Sequence, residues 1–177
     1  MNFPTKLELR GGRIKIPAEQ ARTSIVDIFN RLGCDDEVSQ AITDHLIEAN
    51  LCGVESHGVM RVMQYAERMR SGAMKTAIRP EVRATKTGAT IVDGGMGSGI
   101  PAMLLAYETV AAQAQDVGLA ALSIINTGHT GRHGAYADTA AAQGRIGRAA
   151  ADAVPPCDQA RALRAAAVPA GRCHHFR

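Results

Sequence analysis

The stretch 89-ATIVDGGMGSGIPAMLLAYETVAAQAQDVGLAALSIIN-126 decides the fold class of this chain. A β-favouring run, 89-ATIVDG-94, enters a glycine-rich turn, 94-GGMGSG-99, which leads into an alanine-rich helical segment, 101-PAMLLAYETVAAQAQDVG-118. The apolar run 119-LAALSIIN-126 then reads as a strand, the polar 126-NTGHTG-131 as a loop, and 132-RHGAYADTAAAQG-144 as another helix. Strand, helix, strand, loop, helix is the alternation of an α/β domain. The glycines are a tempting false lead. Gly95-x-Gly97-x-Gly99 is not G-x-G-x-x-G, because Ile100 stands where the last glycine belongs. Nor does a second strand end in an acidic residue about 20 positions on. With no Rossmann fingerprint, the glycines read as a tight strand-to-helix connection.

Toward the N-terminus the apolar residues recur at helical spacing. Residues 13-RIKI-16 read as a short strand, and Pro17 suits the first turn of a helix. Ile25, Ile28, Phe29 and Leu32 mark that helix, and Gly33 caps it. Val38, Ala41, Ile42, His45, Leu46 and Ala49 form a second stripe, ended by Gly53. A third helix is expected from about Ser56 to Ser71. The organisation is therefore an N-terminal helical domain, 1–74, followed by a partial α/β domain, 75–147. His45 reads as a core or boundary histidine, and Met60, Met63 and Met69 as packing.

From Arg148 the character changes. Residues 148–177 are dominated by Ala, Arg and Pro, lack Lys and hold no sustained apolar period. A natural low-complexity tail and an out-of-frame reading of a GC-rich gene both account for that composition. The cluster 173-CHH-175, with Cys157, has metal-binding residue types, but its spacing is unlike structural zinc patterns, so no metal site is expected.

Composition excludes several function classes. Hydrophobic residues at 46% and charged residues at 21% fit a soluble globular chain and exclude wholesale disorder. A net charge of +3 without interleaved aromatics or a reading module argues against nucleic acid as a partner. No apolar run reaches the length of a membrane span. The polar start MNFPTKLELRGG carries no secretory signal, and Cys34, Cys52, Cys157 and Cys173 form no CxxC pair. Free thiols in a reducing cytoplasm are the expectation.

Two places could carry chemistry. In 54-VESHGVMRVMQYAERMRSG-72, His57 and Arg61 stand four apart, which on a continuous helix puts them on one face about 6 Å apart at Cβ. A guanidinium can hold a carboxylate, and an adjacent imidazole can move a proton near neutral pH. Ser56 at the helix start either caps the backbone or bonds a ligand. His129 and Asn126 follow a strongly apolar strand, and ligand sites in α/β units gather at the carboxyl ends of strands. His133 reads as an outward residue of the next helix. For each, the bland reading stays open: a surface His–Arg pair, and a loop histidine bonded to nearby backbone.

These stretches resemble a known family. Gly53 to Arg61 carries the "G-V-D/E-S-H-G-x-x-R" hallmark of the malate/L-lactate dehydrogenase family of the non-Rossmann type. That family also holds ureidoglycolate, sulfolactate, diketogulonate and piperideine-2-carboxylate oxidoreductases. Its "N-S-N-H-F-G-A-A-G-Y-Y-A" is similar to 126-NTGHTGRHGAYA-137, with Thr127, Gly128, Thr130, Arg132 and His133 departing from it. The glycine turn 92-VDGGMGSG-99 matches too, and the resemblance covers about residues 13 to 147. It implies hydride transfer between NAD or NADP and a 2-oxo or 2-hydroxy acid, or a related imine, in a cytoplasmic homodimer. By the resemblance His57 is the acid/base and Arg61 the carboxylate anchor. His129 lies near nicotinamide and substrate, and in some members it is the base; Ser56 assists substrate and Asn126 the cofactor. Family members are roughly twice this length, so the chain reads as truncated. A non-catalytic relative acting as a binding or dimerisation partner is the alternative.

Overall fold

The computed structural model describes residues 14–150. Among them run α1 (Ala18–Arg31), α2 (Asp36–Leu51), a 3-10 turn (Glu55–His57), α3 (Arg61–Arg70), β1 (Glu81–Ala84), β2 (Thr90–Gly97), α4 (Gly99–Val117), β3 (Ser123–Thr127) and α5 (His133–Ala142). All belong to one compact unit that ends at Gly147. Residues 151–177, with the metal-type cluster read at 173–175, lie outside the described residues.

Local chemistry accounts for the helix ends. Asp35 caps α2 by accepting the Val38 N–H at 2.8 Å, which satisfies one of the donors a helix start leaves open. Beyond α1, Gly33 takes φ +94° while the Cys34 N–H returns to the Phe29 carbonyl, closing the helix as the sequence suggests. Three strands form one sheet in the order β1-β2-β3. β1 and β2 are an antiparallel hairpin, and β2 and β3 run parallel with α4 as the crossover. The β2–β3 register slips between Asp93 and Gly97, where Gly95 and Met96 both take positive φ. The expected glycine turn is therefore the irregular end of β2 itself, and Ser98 alone joins it to α4, which it caps.

The main core lies in the helical half. Ile25 and Phe29 of α1, Ile42 and Leu46 of α2, and Val62, Tyr65 and Met69 of α3 pack together, with Ile100 of α4 reaching in from the α/β half. The sheet's own core is small: Val92, Ala102 and Ala106, flanked by Leu105, Leu122 and Ile124. No helix of the described residues is long and apolar enough to cross a membrane.

Four other expectations change. Of the strand expected at 13–16, residues 14–16 form none; Ile14 is 88% exposed, and among the described residues no strand pairs with this segment before α1. Met60 and Met63 are 69% and 70% exposed, because α3 turns Val62, Tyr65, Ala66 and Met69 inward and leaves the other methionines outside. His133 is half-buried, its ring nitrogen Nε2 2.7 Å from Thr130 Oγ1, and does not point away from the body. Finally, the third helix is interrupted. Gly58 adopts φ −98° and ψ −152°, so His57 sits in the 3-10 turn while Arg61 begins α3. Helical i, i+4 geometry therefore does not relate the two residues.

Candidate active site

The break at Gly58 coincides with a tertiary contact. The Asn50 side chain, near the end of α2, presses against the turn, and a Cβ at position 58 would collide with its amide oxygen. That same oxygen accepts the Val59 N–H at 2.6 Å. Glycine is required at 58 by close approach, and Asn50 fixes how α3 is entered. The turn holds His57 half-buried, with Ser56 Oγ 3.0 Å from its Nδ1. Arg61 reaches back over the same turn. Its Nε donates to the Ser56 carbonyl at 2.6 Å, and its Nη1 donates to Gln64 Oε1 at 2.6 Å. Ser56, His57 and Arg61 thus form one bonded group even without a shared helix face.

His129 comes from the opposite side, on the loop after β3. That loop is pinned to the start of α4: the Gly128 N–H donates to the Gly97 carbonyl at 2.9 Å, and the Gly99 N–H donates to the His129 carbonyl at 3.2 Å. A Cβ on Gly99 would stand 2.6 Å from the Gly128 carbonyl, so this approach also needs glycine. The His129 ring lies 5.2 Å from the His57 ring, centroid to centroid, tilted by 31°. Its Nδ1 is 2.7 Å from the hydroxyl of buried Tyr65 on α3 and accepts the Gly131 N–H at 3.2 Å.

Burial sets the protonation states. It pushes His129 down to about 4, with the Arg61 charge and then the neighbouring His57, His133 and His45 rings adding to the effect. His57 is held below its ordinary value by burial first, then by Arg61 and His133. Both imidazoles are therefore neutral at physiological pH.

A further layer supports the loop. His45 is buried on α2, as the stripe suggests; its ring stacks on Tyr136 at 5.0 Å and its Nε2 accepts the Arg132 N–H at 2.8 Å. Burial pushes His45 down to about 4, keeping that acceptor unprotonated. Gly131, at φ +74°, leaves no room for a side chain against His45. Arg132 closes onto Glu48 through Nη2 at 2.5 Å and Nε at 3.3 Å, and onto Asp138 at 3.0 Å.

Asn126 stands apart from this group. It sits at the carboxyl end of β3 with φ +51°, and its amide nitrogen donates to Asp93 Oδ1 at 3.1 Å. Asp93 also takes the Gly95 N–H at 2.9 Å and an Arg83 ion pair at 2.9 Å. The Gly95 N–H, then the Asn126 amide, hold its carboxyl below the usual carboxylate range. Tyr65, Asn50 and the Arg132–Glu48 pair were not singled out from the sequence. Tyr65 had one signal: it falls on the inward stripe of α3, and a buried tyrosine hydroxyl needs a partner.

A family model described as malate/L-lactate dehydrogenase matches residues 16–166, further along the chain than the resemblance read from sequence, which stopped at 147. A malate dehydrogenase of Pyrococcus horikoshii is 32% identical over 136 residues, covering 76% of this chain and 37% of the relative. A Delta(1)-pyrroline-2-carboxylate/Delta(1)-piperideine-2-carboxylate reductase of Pseudomonas putida is 30% identical over 116 residues, covering 66% of this chain and 34% of the relative. Among solved structures, the sulfolactate dehydrogenase of Methanocaldococcus jannaschii superposes with a TM-score of 0.67 at 26% identity, covering 73% of this chain and 38% of that one. The chain thus spans well under half the length of these relatives.

Proposed function

The chain belongs to the malate/L-lactate dehydrogenase family, and from that premise we propose that its site serves hydride transfer between a nicotinamide dinucleotide, NAD or NADP, and a 2-oxo or 2-hydroxy acid or related imine. The observation that carries the proposal is the meeting of His57 and His129, 5.2 Å apart, with Arg61 bonded to the turn that holds His57. A carboxylate anchor and two neutral imidazoles are the groups a 2-hydroxy acid needs at its two polar ends. Residues 1–74 supply the substrate side in this reading, and 75–147 the cofactor side.

The nicotinamide end of a dinucleotide fits the carboxyl end of β3. Thr127 Oγ1 there is buried without a partner, and His129 is two residues on. The glycines of the 94–99 turn do not offer a phosphate cradle, since the room beside Gly94 and Gly99 is filled by Thr127 and by the Gly128 carbonyl. A nicotinamide bound at the carboxyl end of β3 would supply the acceptor for the hydride on C2 of the hydroxy acid.

The chain's own residues handle charge and proton. Arg61, held in place by Ser56 and Gln64, presents its remaining Nη protons to the substrate carboxylate. His57, neutral because burial lowers its affinity for protons, takes the hydroxyl proton as the C2 hydride leaves. Ser56 Oγ accepts the Nδ1 proton in the form that turns the Nε2 lone pair toward substrate. Asn126 contributes on the cofactor side through its backbone position, since its amide is engaged by Asp93. The longer form is a cytoplasmic homodimer in this reading.

Purified chain, assayed with 2-hydroxy acids and oxidised nicotinamide dinucleotides, tests the proposal. Turnover is expected to fall at least ~100-fold in His57→Ala, the usual size of a lost general base. Turnover undiminished in His57→Ala would refute the assignment. The second reading is a non-catalytic partner that pairs with a longer dehydrogenase. Absence of turnover together with co-purification of such a dehydrogenase would establish that reading.

A further inference from the structure

The hydrogen bonds around His129 assign more than its position. Its Nδ1 faces two groups, the Tyr65 hydroxyl at 2.7 Å and the Gly131 backbone N–H at 3.2 Å. A backbone N–H can only donate, so Nδ1 must carry a lone pair. Were Nδ1 protonated, it would donate to the Tyr65 hydroxyl, and the Gly131 N–H would face a donor and lose its acceptor. With Nδ1 as acceptor, the Tyr65 hydroxyl and the Gly131 N–H share its one in-plane lone pair, the hydroxyl making the shorter contact. The one ring proton of a neutral imidazole then sits on Nε2.

We propose that Tyr65 is a positioning residue that, with the Gly131 N–H, locks His129 as the Nε2–H tautomer and so makes it a hydrogen-bond donor to ligand, leaving the role of base to His57. Tyr65 is suited to this by its setting. It is fully buried in the helical core, 6.5 Å from the Phe29 ring, and burial pushes its hydroxyl up to about 12, so the proton stays on oxygen. It also stands on α3, one turn after Arg61, so the helix that presents the carboxylate anchor also sets the tautomer of the facing imidazole. The loop at Gly131 is tied to α2 by the Arg132 N–H bond to His45 Nε2, and His45 fills the space a Cβ at 131 would need. In the reaction a donor at Nε2 stabilises negative charge on the substrate oxygen, while a base there would need the opposite tautomer. The catalytic consequence rests on the proposed dehydrogenase reading; the tautomer does not.

The test is nitrogen NMR of the imidazole side chains in the full 177-residue chain, at neutral pH and without substrate or cofactor. His129 is assigned by the signal lost in His129→Gln. The expected result is a pyridine-type Nδ1 and a pyrrole-type Nε2 in the wild type. Tyr65→Phe, which removes only the hydroxyl, is expected to move both signals toward the averaged values of an exchanging imidazole. A pyrrole-type Nδ1 in the wild type would overturn the proposal, whether or not the variant folds. So would a Tyr65→Phe protein with unchanged His129 signals. Neither reading depends on turnover, so a failed activity assay and a failed tautomer assignment remain distinguishable.

Discussion

The helical half and the sheet half of this chain bury their residues very differently. In the helical core twelve buried side chains from four helices and their connections interlock, while the sheet core holds three. Every residue of β1 is exposed, and β3 has none that is buried. Yet the site draws on both halves, with His57 and Arg61 from one and His129 from the other. The difference teaches where the site's rigidity originates. His129 is held from both sides: its loop is bonded to Gly97 and Gly99, and the helical half adds Tyr65 against its ring, and His45 and Glu48 against the residues just after it.

If the helical core carries the stability, Phe29→Ala should have the largest effect. Phe29 is fully buried between α1 and α3, and truncating such a ring costs about 3–5 kcal/mol. Chemical denaturation measures it, and a loss below ~1 kcal/mol would break the comparison. Next comes the seam between the halves, which acid should loosen. His45 and His129 are held at about 4 by burial, below an unfolded value of ~6.5. Their contribution is complete above pH ~6.5, falls as pH drops and the unfolded chain binds protons first, and is lost by pH ~4. Denaturation midpoints at about pH 7 and about pH 5 should therefore differ, and the gap should shrink in His45→Gln. The smallest effect is expected in the sheet: Ile124→Val, at a partly buried position of β3, should cost no more than ~1 kcal/mol.

The same contrast explains what was legible in the sequence. Helical stripes and the α/β alternation could be read because amphipathic period is a local signal, and each of α1, α2, α4 and α5 lies close to its expected span. The interruption at Gly58 could not be read. It coincides with a close approach of Asn50, on another helix, which fills the space a Cβ at 58 would need and accepts the Val59 N–H. His57 and His129 were identifiable as candidates by residue type and by their places at a helix start and a strand end. Their juxtaposition was not, since it depends on α3 and the β3–α5 loop meeting in space. Arg132 reads as a departure from the family pattern, and its ion pair with Glu48 became visible only in the fold.

The central claim is that these residues form one site for a 2-oxo or 2-hydroxy acid, and the most direct test is a titration of the chain with pyruvate followed through its histidine ring signals. The account predicts that His57 and His129 shift together with one dissociation constant, and that Arg61→Met weakens that constant by at least ~10-fold, the cost of losing a charge-assisted carboxylate contact. Equal binding in Arg61→Met, or shifts in neither ring, would contradict it.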